Sequence, residues 1–450
     1  MDRRNQPGSK IAVTASAIIV FSVLSFGSVE LWSSTILQVS VFTLFMFWLI
    51  MKGDHDEGIQ IVGPDGDRRE KLLFGALSLF FVYIIIQMLP IYSTVLRYIS
   101  LRSFDFYSFY AVDRNSAGHI SLYVYKTQIE FIRMMTCAVF FVTVAYSIRD
   151  RNSLEKMIKI ISYFGFGLAV FAILQKAAWN GKLYWFREIP ECSPFGPFLN
   201  RNHYAGLMAM LIPLTLGLAF TRKRRERQML FGFFGVIMSV SLFLSLSRAG
   251  IVSFLAGISV FALFLLWKKF KAKKIWALAS FLLIVLLYLL YIGIDPIIDR
   301  FYKTDITREA RIAVWAETLR AFKDFYLTGS GLGTFMNVFQ LYSPEPIVYL
   351  YDHAHNDYLE FILEGGLIGA ILLLSVLTFL IICIVRGRWD GKTGIIKISF
   401  LSSIVTISAH SAFDFNLHIP SNALVLAAIL GMAFANSKIR EETQENPPIS

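Results

Sequence analysis

Apolar runs long enough to cross a bilayer recur from end to end of this chain, and no other feature narrows its fold so much. A helix needs about 20 largely apolar residues to span the hydrocarbon core. Twelve such spans are expected, at about 11–29, 33–51, 72–90, 130–148, 158–175, 203–220, 229–247, 249–267, 275–293, 362–385, 395–413 and 421–437. The strands of a transmembrane barrel would be shorter and would alternate. With 56% hydrophobic and 17% charged residues, the 450-residue chain also lacks the polar surface that a soluble domain of this size requires. The expected class is all-α, a polytopic helical membrane protein with about 12 transmembrane helices. It divides into an N-terminal bundle of about nine spans (1–293), a large loop with short amphipathic helices (294–361), C-terminal spans (362–437) and a tail (438–450).

Basic residues give the orientation. Arg3, Arg4 and Lys10 precede the first span, and no small-residue cleavage site follows it, so it reads as a retained helix rather than a signal peptide. With the N-terminus in the cytoplasm, the dense clusters at Arg222–Arg225 and Lys268–Lys274 fall on the cytoplasmic side. Long, dilute connections fall outside, which is the positive-inside pattern. Both termini are then cytoplasmic. The same clusters explain much of the net charge of +11, and they lack the interleaved aromatics that would stack on bases, so no nucleic-acid partner is expected. Cys137, Cys192 and Cys383 form neither a metal motif nor a disulfide framework. The connection 52–71, with Gly58, Gly63, Pro64 and Gly66, reads as a mobile linker, and the tail from Glu441 as disordered.

The polar residues that do not belong in lipid gather on the outer side. Arg201, Asn202 and His203 follow the stiff turn Pro194–Phe198 at the mouth of one span; snorkelling and helix capping compete with a binding role. Arg248 sits in a turn too tight to hold it in water, where an anion would give it a partner. In the large loop, Ile312, Trp315, Leu319 and Phe322 form a helical stripe, with Thr307 as a possible cap. Arg308 and Arg311 lie on one face of that helix; near its start they oppose the dipole, which a bound anion would offset, although a salt bridge to Glu309 is the plainer reading. Gly329–Phe335 has the look of a glycine loop but lacks the strand and lysine of a phosphate cradle. A plain turn is favoured there, with exposed amides still able to touch a diphosphate.

The run Tyr351–Glu360 concentrates two of the seven histidines with acids and an amide. His353, His355, Asn356 and Asp357 are candidates there, His355 as a general base if Asp352 or Asp357 holds its imidazole. Zinc needs three or four ligands, and nothing else nearby in the sequence supplies a firm third. No metal and no cofactor are therefore expected. Glu364, one turn beyond Glu360, reads as structural or substrate-binding. His410, Asp414 and Asn416 bring a last polar set to the same side.

These residues carry a likeness. Phe26-Gly27, Trp32-Ser33, Asn200–Gly206, Leu246-Ser247-Arg248, Arg311 with Trp315, Gly331–Phe335, His355–Glu360, Glu364–Gly369, His410-Ser411, Asp414–Pro420 and Asn422 together resemble the O-antigen ligase and O-antigen polymerase superfamily of bacterial envelope proteins. The resemblance implies a glycosyltransferase of the bacterial inner membrane, with its site on the periplasmic face. It implies a donor glycan on undecaprenyl diphosphate and an acceptor that is lipid A-core or a growing polysaccharide. By the same resemblance, Arg201, Arg248 and Arg311 handle the diphosphate and His355 aids the acceptor. Ligase and repeat-unit polymerase share the pattern, so lipopolysaccharide and exopolysaccharide biosynthesis both stay open. A secondary transporter or flippase is the alternative of another class. It would need charged or broken helices at the bilayer midplane, whereas the polar groups here collect at one rim.

Overall fold

The computed structural model describes residues 7–53, 67–110, 117–189, 192–268, 270–302, 306–343, 351–387 and 389–439. The expected linker over 54–66 and the tail beyond 439 lie outside these residues. In chain order the helices are α1 (Pro7–Leu24), α2 (Leu31–Gly53), α3 (Arg68–Met88), α4 (Ser93–Ile99), α5 (Leu101–Tyr110) and α6 (Val124–Ser147). There follow α7 (Arg151–Ala177), α8 (Arg201–Thr221), α9 (Arg225–Leu244), α10 (Arg248–Trp267), α11 (Ala272–Ile292) and α12 (Asp295–Tyr302). The last five are α13 (Ile306–Phe325), α14 (Phe335–Phe339), α15 (Asp357–Val385), α16 (Gly391–Ser411) and α17 (Pro420–Lys438). Among the described residues, extended backbone pairs only as isolated bridges. The protein is an all-α, polytopic membrane protein.

Eleven of these helices are long and apolar enough to cross a membrane: α2, α3, α6 to α11, and α15 to α17. The first expected span, 11–29, is shorter than the rest. Helix α1 stops at Leu24 because Phe26, Gly27 and Ser28 take positive φ of 60°, 75° and 56°, which no α-helix accommodates. The short helices α4 and α5 lie inside the connection 91–129, where the sequence reading placed no element.

Helix α8 is the centre of the bundle, with 94% of its apolar window buried. Small residues let its neighbours close in. A Cβ on Gly206 would meet the Asn416 amide at 2.7 Å, and one on Gly217 would meet Ser399 Oγ at 2.7 Å. Tight backbone approach of this kind is how membrane helices gain packing without a hydrophobic drive between them. It also holds the first turn of α8 against the 410–420 connection, which matters for the site.

The large loop builds a second, small core from Val314, Ala321, Phe325, Phe335, Val338, Phe339 and Ala354, joined by Leu122 and Leu363 from outside it. Helix α13 forms one wall of it. The face it buries runs through Val314, Thr318, Ala321 and Phe325, whereas Ile312 and Leu319 of the expected stripe are exposed. A stripe of large residues misled the reading because a small core accepts alanine and threonine against it. Thr307 lies inside the helix, which already runs from Ile306, rather than ahead of it as a cap.

The glycine loop is bound by protein. Ser330 N and Gly331 N donate to Leu363 O and Glu364 O, both at 3.0 Å. Gly333 N and Phe335 N donate to the Glu364 carboxylate at 2.9 and 2.7 Å. The amides considered available to a diphosphate are therefore used, and Glu364 is the fastener. Gly329 and Gly366, with φ of 70° and 62°, allow the loop to lie directly on a break in α15: a Cβ on Gly366 would sit 2.3 Å from Gly329 N. Replacing Glu364 with alanine is expected to lower stability by about 2–5 kcal/mol, since two backbone donors lose their acceptor. Thermal unfolding of the purified protein in detergent measures this, and an unchanged midpoint would remove Glu364 from this role.

Candidate active site

Two helix N-termini meet at one end of the bundle. Asn200 caps α8, its side chain accepting from Asn202 N, and Ser247 caps α10, accepting from Gly250 N. The Ser247 hydroxyl also donates to Asn202 Oδ1 at 2.7 Å, tying the two first turns together. Arg201 and Arg248 are the first residues of these helices. A cavity of about 320 Å³ opens between them, lined by Asn200, Arg201, Asn202, Arg248, Ala249 and Arg311 among others. Arg311 reaches it from α13 and donates to Phe413 O at 3.2 Å. Three guanidinium groups from three separate segments thus share one cavity, and among the described residues no carboxylate lines it. Lys176, at the end of α7, stands near enough to Arg201 for the two charges to interact. The sequence reading passed over Lys176, because nothing in its own neighbourhood separates it from an ordinary interfacial lysine. Helix N-termini and arginines both favour negative charge, so the cavity suits an anion.

A histidine cluster adjoins through the 410–420 connection. His355 Nδ1 lies 3.2 Å from Asp414 Oδ1. Asp414 is fully buried. Burial alone would push its carboxyl up, but the His355 hydrogen bond and the neighbouring His203 and His410 hold it well below the usual carboxylate range. An ionised carboxylate only accepts, so Nδ1 of His355 is the donor, and in the neutral imidazole Nε2 carries the lone pair. Asp414 Oδ2 and His203 Nε2 are buried without a hydrogen-bond partner. Phe415 is the hub. His353 stacks on its ring at 4.2 Å between centroids, and His203 and His355 meet it edge-on, each at 4.9 Å.

His355 is held in place by its predecessor. Ala354 N donates to Glu360 Oε2 at 2.9 Å, and Ala354 O accepts from Trp315 Nε1 at 2.9 Å. This pins His355 in the left-handed region, at φ 51°, which costs a residue with a Cβ about 1–2 kcal/mol. Backbone strain at a named residue is an argument for function there.

Below this, acids and bases are locked together. Glu360 accepts from His353 Nδ1 at 2.7 Å and lies 3.4 Å from His418 Nε2. His418 Nδ1 pairs with Asp357 at 3.0 Å. Glu130 and Arg133 of α6 form a buried ion pair beside them, and Arg133 donates to Leu417 O. His353, Glu360 and His418 bring ligand atoms within 4.8 Å of one another, so the third metal ligand that the sequence did not offer comes from His418, 58 positions beyond Glu360. The same three groups are already joined to one another and to Asp357, which reads as an ion-pair latch between α15 and the 410–420 connection. Burial opposes the charge on His418, but Glu360 and Asp357 outweigh it and push its pKa up to about 10.

A pH dependence follows. The folded-state pKa lies above the ordinary histidine value of 6.5, so protonation favours the fold. The contribution is complete below about pH 6.5 and is lost as pH rises through about 10. The unfolding midpoint of the parent should exceed that of His418→Gln most at low pH, and the gap should close across this window. A constant gap would show that His418 is not charged in the fold.

The remaining candidates fall in two groups. Asn356 caps α15, accepting from Tyr358 N and Leu359 N at 3.0 and 3.1 Å. Asp357, Glu364, His410 and Asn416 lie in the interior, with His410 and Asn416 2.7 Å apart and Asn422 bridging Asn416 to His203 O. None of these five candidates lines the arginine cavity. The side chain of Arg308 lies outside the described residues.

Residues 233–374 match the family model described as O-Antigen ligase. The match covers 142 of the 450 residues, and over that stretch the chain is similar to the O-antigen ligase family. No curated protein matches it. The matched stretch carries Arg248, Arg311, His353 and His355. Arg201, His203, Asp414 and His418 come from outside it, so helices on both sides complete the cluster.

Proposed function

We propose that the protein moves a glycan from an undecaprenyl-diphosphate carrier to an acceptor hydroxyl, as an O-antigen ligase does. The observation that supports this best is the arginine cavity at two helix N-termini, joined through Arg311, Phe413 and Asp414 to a carboxylate-oriented histidine. In this reading Arg201, Arg248 and Arg311 hold the diphosphate, with Asn202 and His203 beside them. Nε2 of His355 takes the proton of the acceptor hydroxyl. That oxygen forms its bond to the anomeric carbon as the bond from that carbon to the phosphate oxygen breaks. Undecaprenyl diphosphate leaves with the electron pair, and the anomeric centre inverts. The arginines offset the charge that grows on the leaving phosphate, so the chemistry proceeds without a metal.

By the positive-inside pattern the site faces the periplasm of a bacterial inner membrane, with both termini cytoplasmic. The acceptor is lipid A-core in the ligase reading. A repeat-unit polymerase uses the same donor chemistry with a growing polysaccharide as acceptor. Purified protein incubated with one lipid-linked repeat and no other acceptor separates the two: the ligase reading expects no product until lipid A-core is added. A ladder of lengthened lipid-linked chains would select the polymerase, and no transfer to either acceptor would remove both.

A further inference from the structure

The loop core also meets α5, and there it carries a cavity of a different character. This cavity of about 250 Å³ is lined by Arg102, Asp105, Phe106, Phe109 and Tyr110 of α5, with Phe325 at the end of α13 in its floor. The floor is fixed, because Phe325 is buried in the loop core and Phe106 packs against that core. The walls are aromatic and open to contact: Phe109 is 81% exposed and Tyr110 66%. Phe106 and Tyr110 stand 4.9 Å apart between centroids. The rim is polar. Arg102 Nε donates to Tyr342 OH at 3.3 Å, and Tyr342 OH donates to Asp324 at 2.6 Å.

That combination has a natural occupant. A sugar ring presents an apolar C–H face and an edge of hydroxyls that both donate and accept. Aromatic faces receive the first. An arginine and an aspartate side by side receive the second, one as donor and one as acceptor. A lipid chain would use the aromatic walls but not the polar rim, and an anion would meet Asp105 as a repulsive charge.

Its position relative to the arginine cavity sets the scale. Arg311 and Phe325 lie 14 positions apart on α13, which at 1.5 Å per residue places them about 20 Å from each other along the helix. A single sugar cannot reach both places, whereas an oligosaccharide can. We propose that the cavity between α5 and the end of α13 is a saccharide subsite that holds sugar residues of the glycan well away from the reacting end. This rests on the transferase reading above and names a substrate requirement within it: the enzyme recognises an oligosaccharide rather than one terminal sugar.

The test separates binding from turnover. The probe is the oligosaccharide released by mild acid from the host's own lipid-linked glycan. Saturation-transfer NMR on the detergent-solubilised protein should show contact with this probe, and the double variant Phe109→Ala/Tyr110→Ala should lose most of it. Both side chains are exposed, so the variant is expected to fold, and Asp105→Asn provides a second variant that keeps the aromatic walls. In steady-state assays donor and acceptor are varied separately. The KM of whichever substrate supplies the saccharide should rise about tenfold in the double variant, with kcat within twofold of the parent. A rise confined to the donor assigns the subsite to the transferred glycan, and one confined to the acceptor assigns it to the receiving glycan. No probe contact at Phe109 and Tyr110, or protection of them by detergent alone, would assign the patch to the bilayer interface and overturn the proposal. If the parent transfers no glycan, the transferase reading fails by itself, while the binding arm still decides the subsite.

Discussion

His355→Ala is expected to lower glycan transfer by about 10²–10⁴-fold, the range typical for loss of a positioned general base. The protein should still insert and purify, because His355 is a partly exposed side chain on a strained turn rather than a core residue. Asp414→Asn should follow it in direction. An amide in place of the carboxylate can turn its NH2 toward Nδ1, which favours the tautomer with the proton on Nε2 and removes the lone pair the acceptor needs. The prediction is a fall in kcat for both variants with donor binding retained, measured with purified protein, lipid-linked glycan and acceptor. If either variant turned over within threefold of the parent, the His355–Asp414 pair would not be the base.

What could be seen in the sequence depends on the range of the interaction. The spans were legible because apolar length is a local property, and the largest overrun was in the first, across a turn that positive φ at Phe26–Ser28 explains. The gathering of Arg201, Arg248 and Arg311 was legible at one remove: counting lysines and arginines in the connections put all three on one side. The cavity that joins them needed the Ser247–Asn202 contact, which spans 45 positions. Partners within the histidine region were further out of reach. His355 finds Asp414 across 59 positions and Arg133 finds Leu417 across 284. Phe415 escaped notice because an aromatic residue in an aromatic-rich chain carries no signal of being a hub. The buried face of α13 was misread for a physical reason too. Large apolar residues mark a helix that packs on a broad core, whereas this one packs on a small core through Val314, Thr318 and Ala321.

Arg248→Ala and Arg311→Ala should each reduce kcat by about 10²–10³-fold, the cost of removing one preorganised donor from a site where negative charge develops. The two should differ in detail. Arg248 stands at the first turn of α10, so its loss leaves the helix N-terminus to receive the phosphate alone. Arg311 also donates to Phe413 O, next to Asp414, so its loss loosens the carboxylate that orients His355 as well as the anion contact. Arg311→Ala combined with His355→Ala should therefore cost less than the product of the single effects, whereas Arg248→Ala combined with His355→Ala should come closer to it. Lysine at either position keeps the charge but loses the paired, planar donors, and should recover only part of the rate. The measurement is a double-mutant cycle on kcat, with donor KM recorded for each variant. Full activity of both alanine variants would leave the diphosphate unheld by this cavity. Full recovery by lysine would show that net charge is enough there, and that the geometry of the guanidinium contributes nothing.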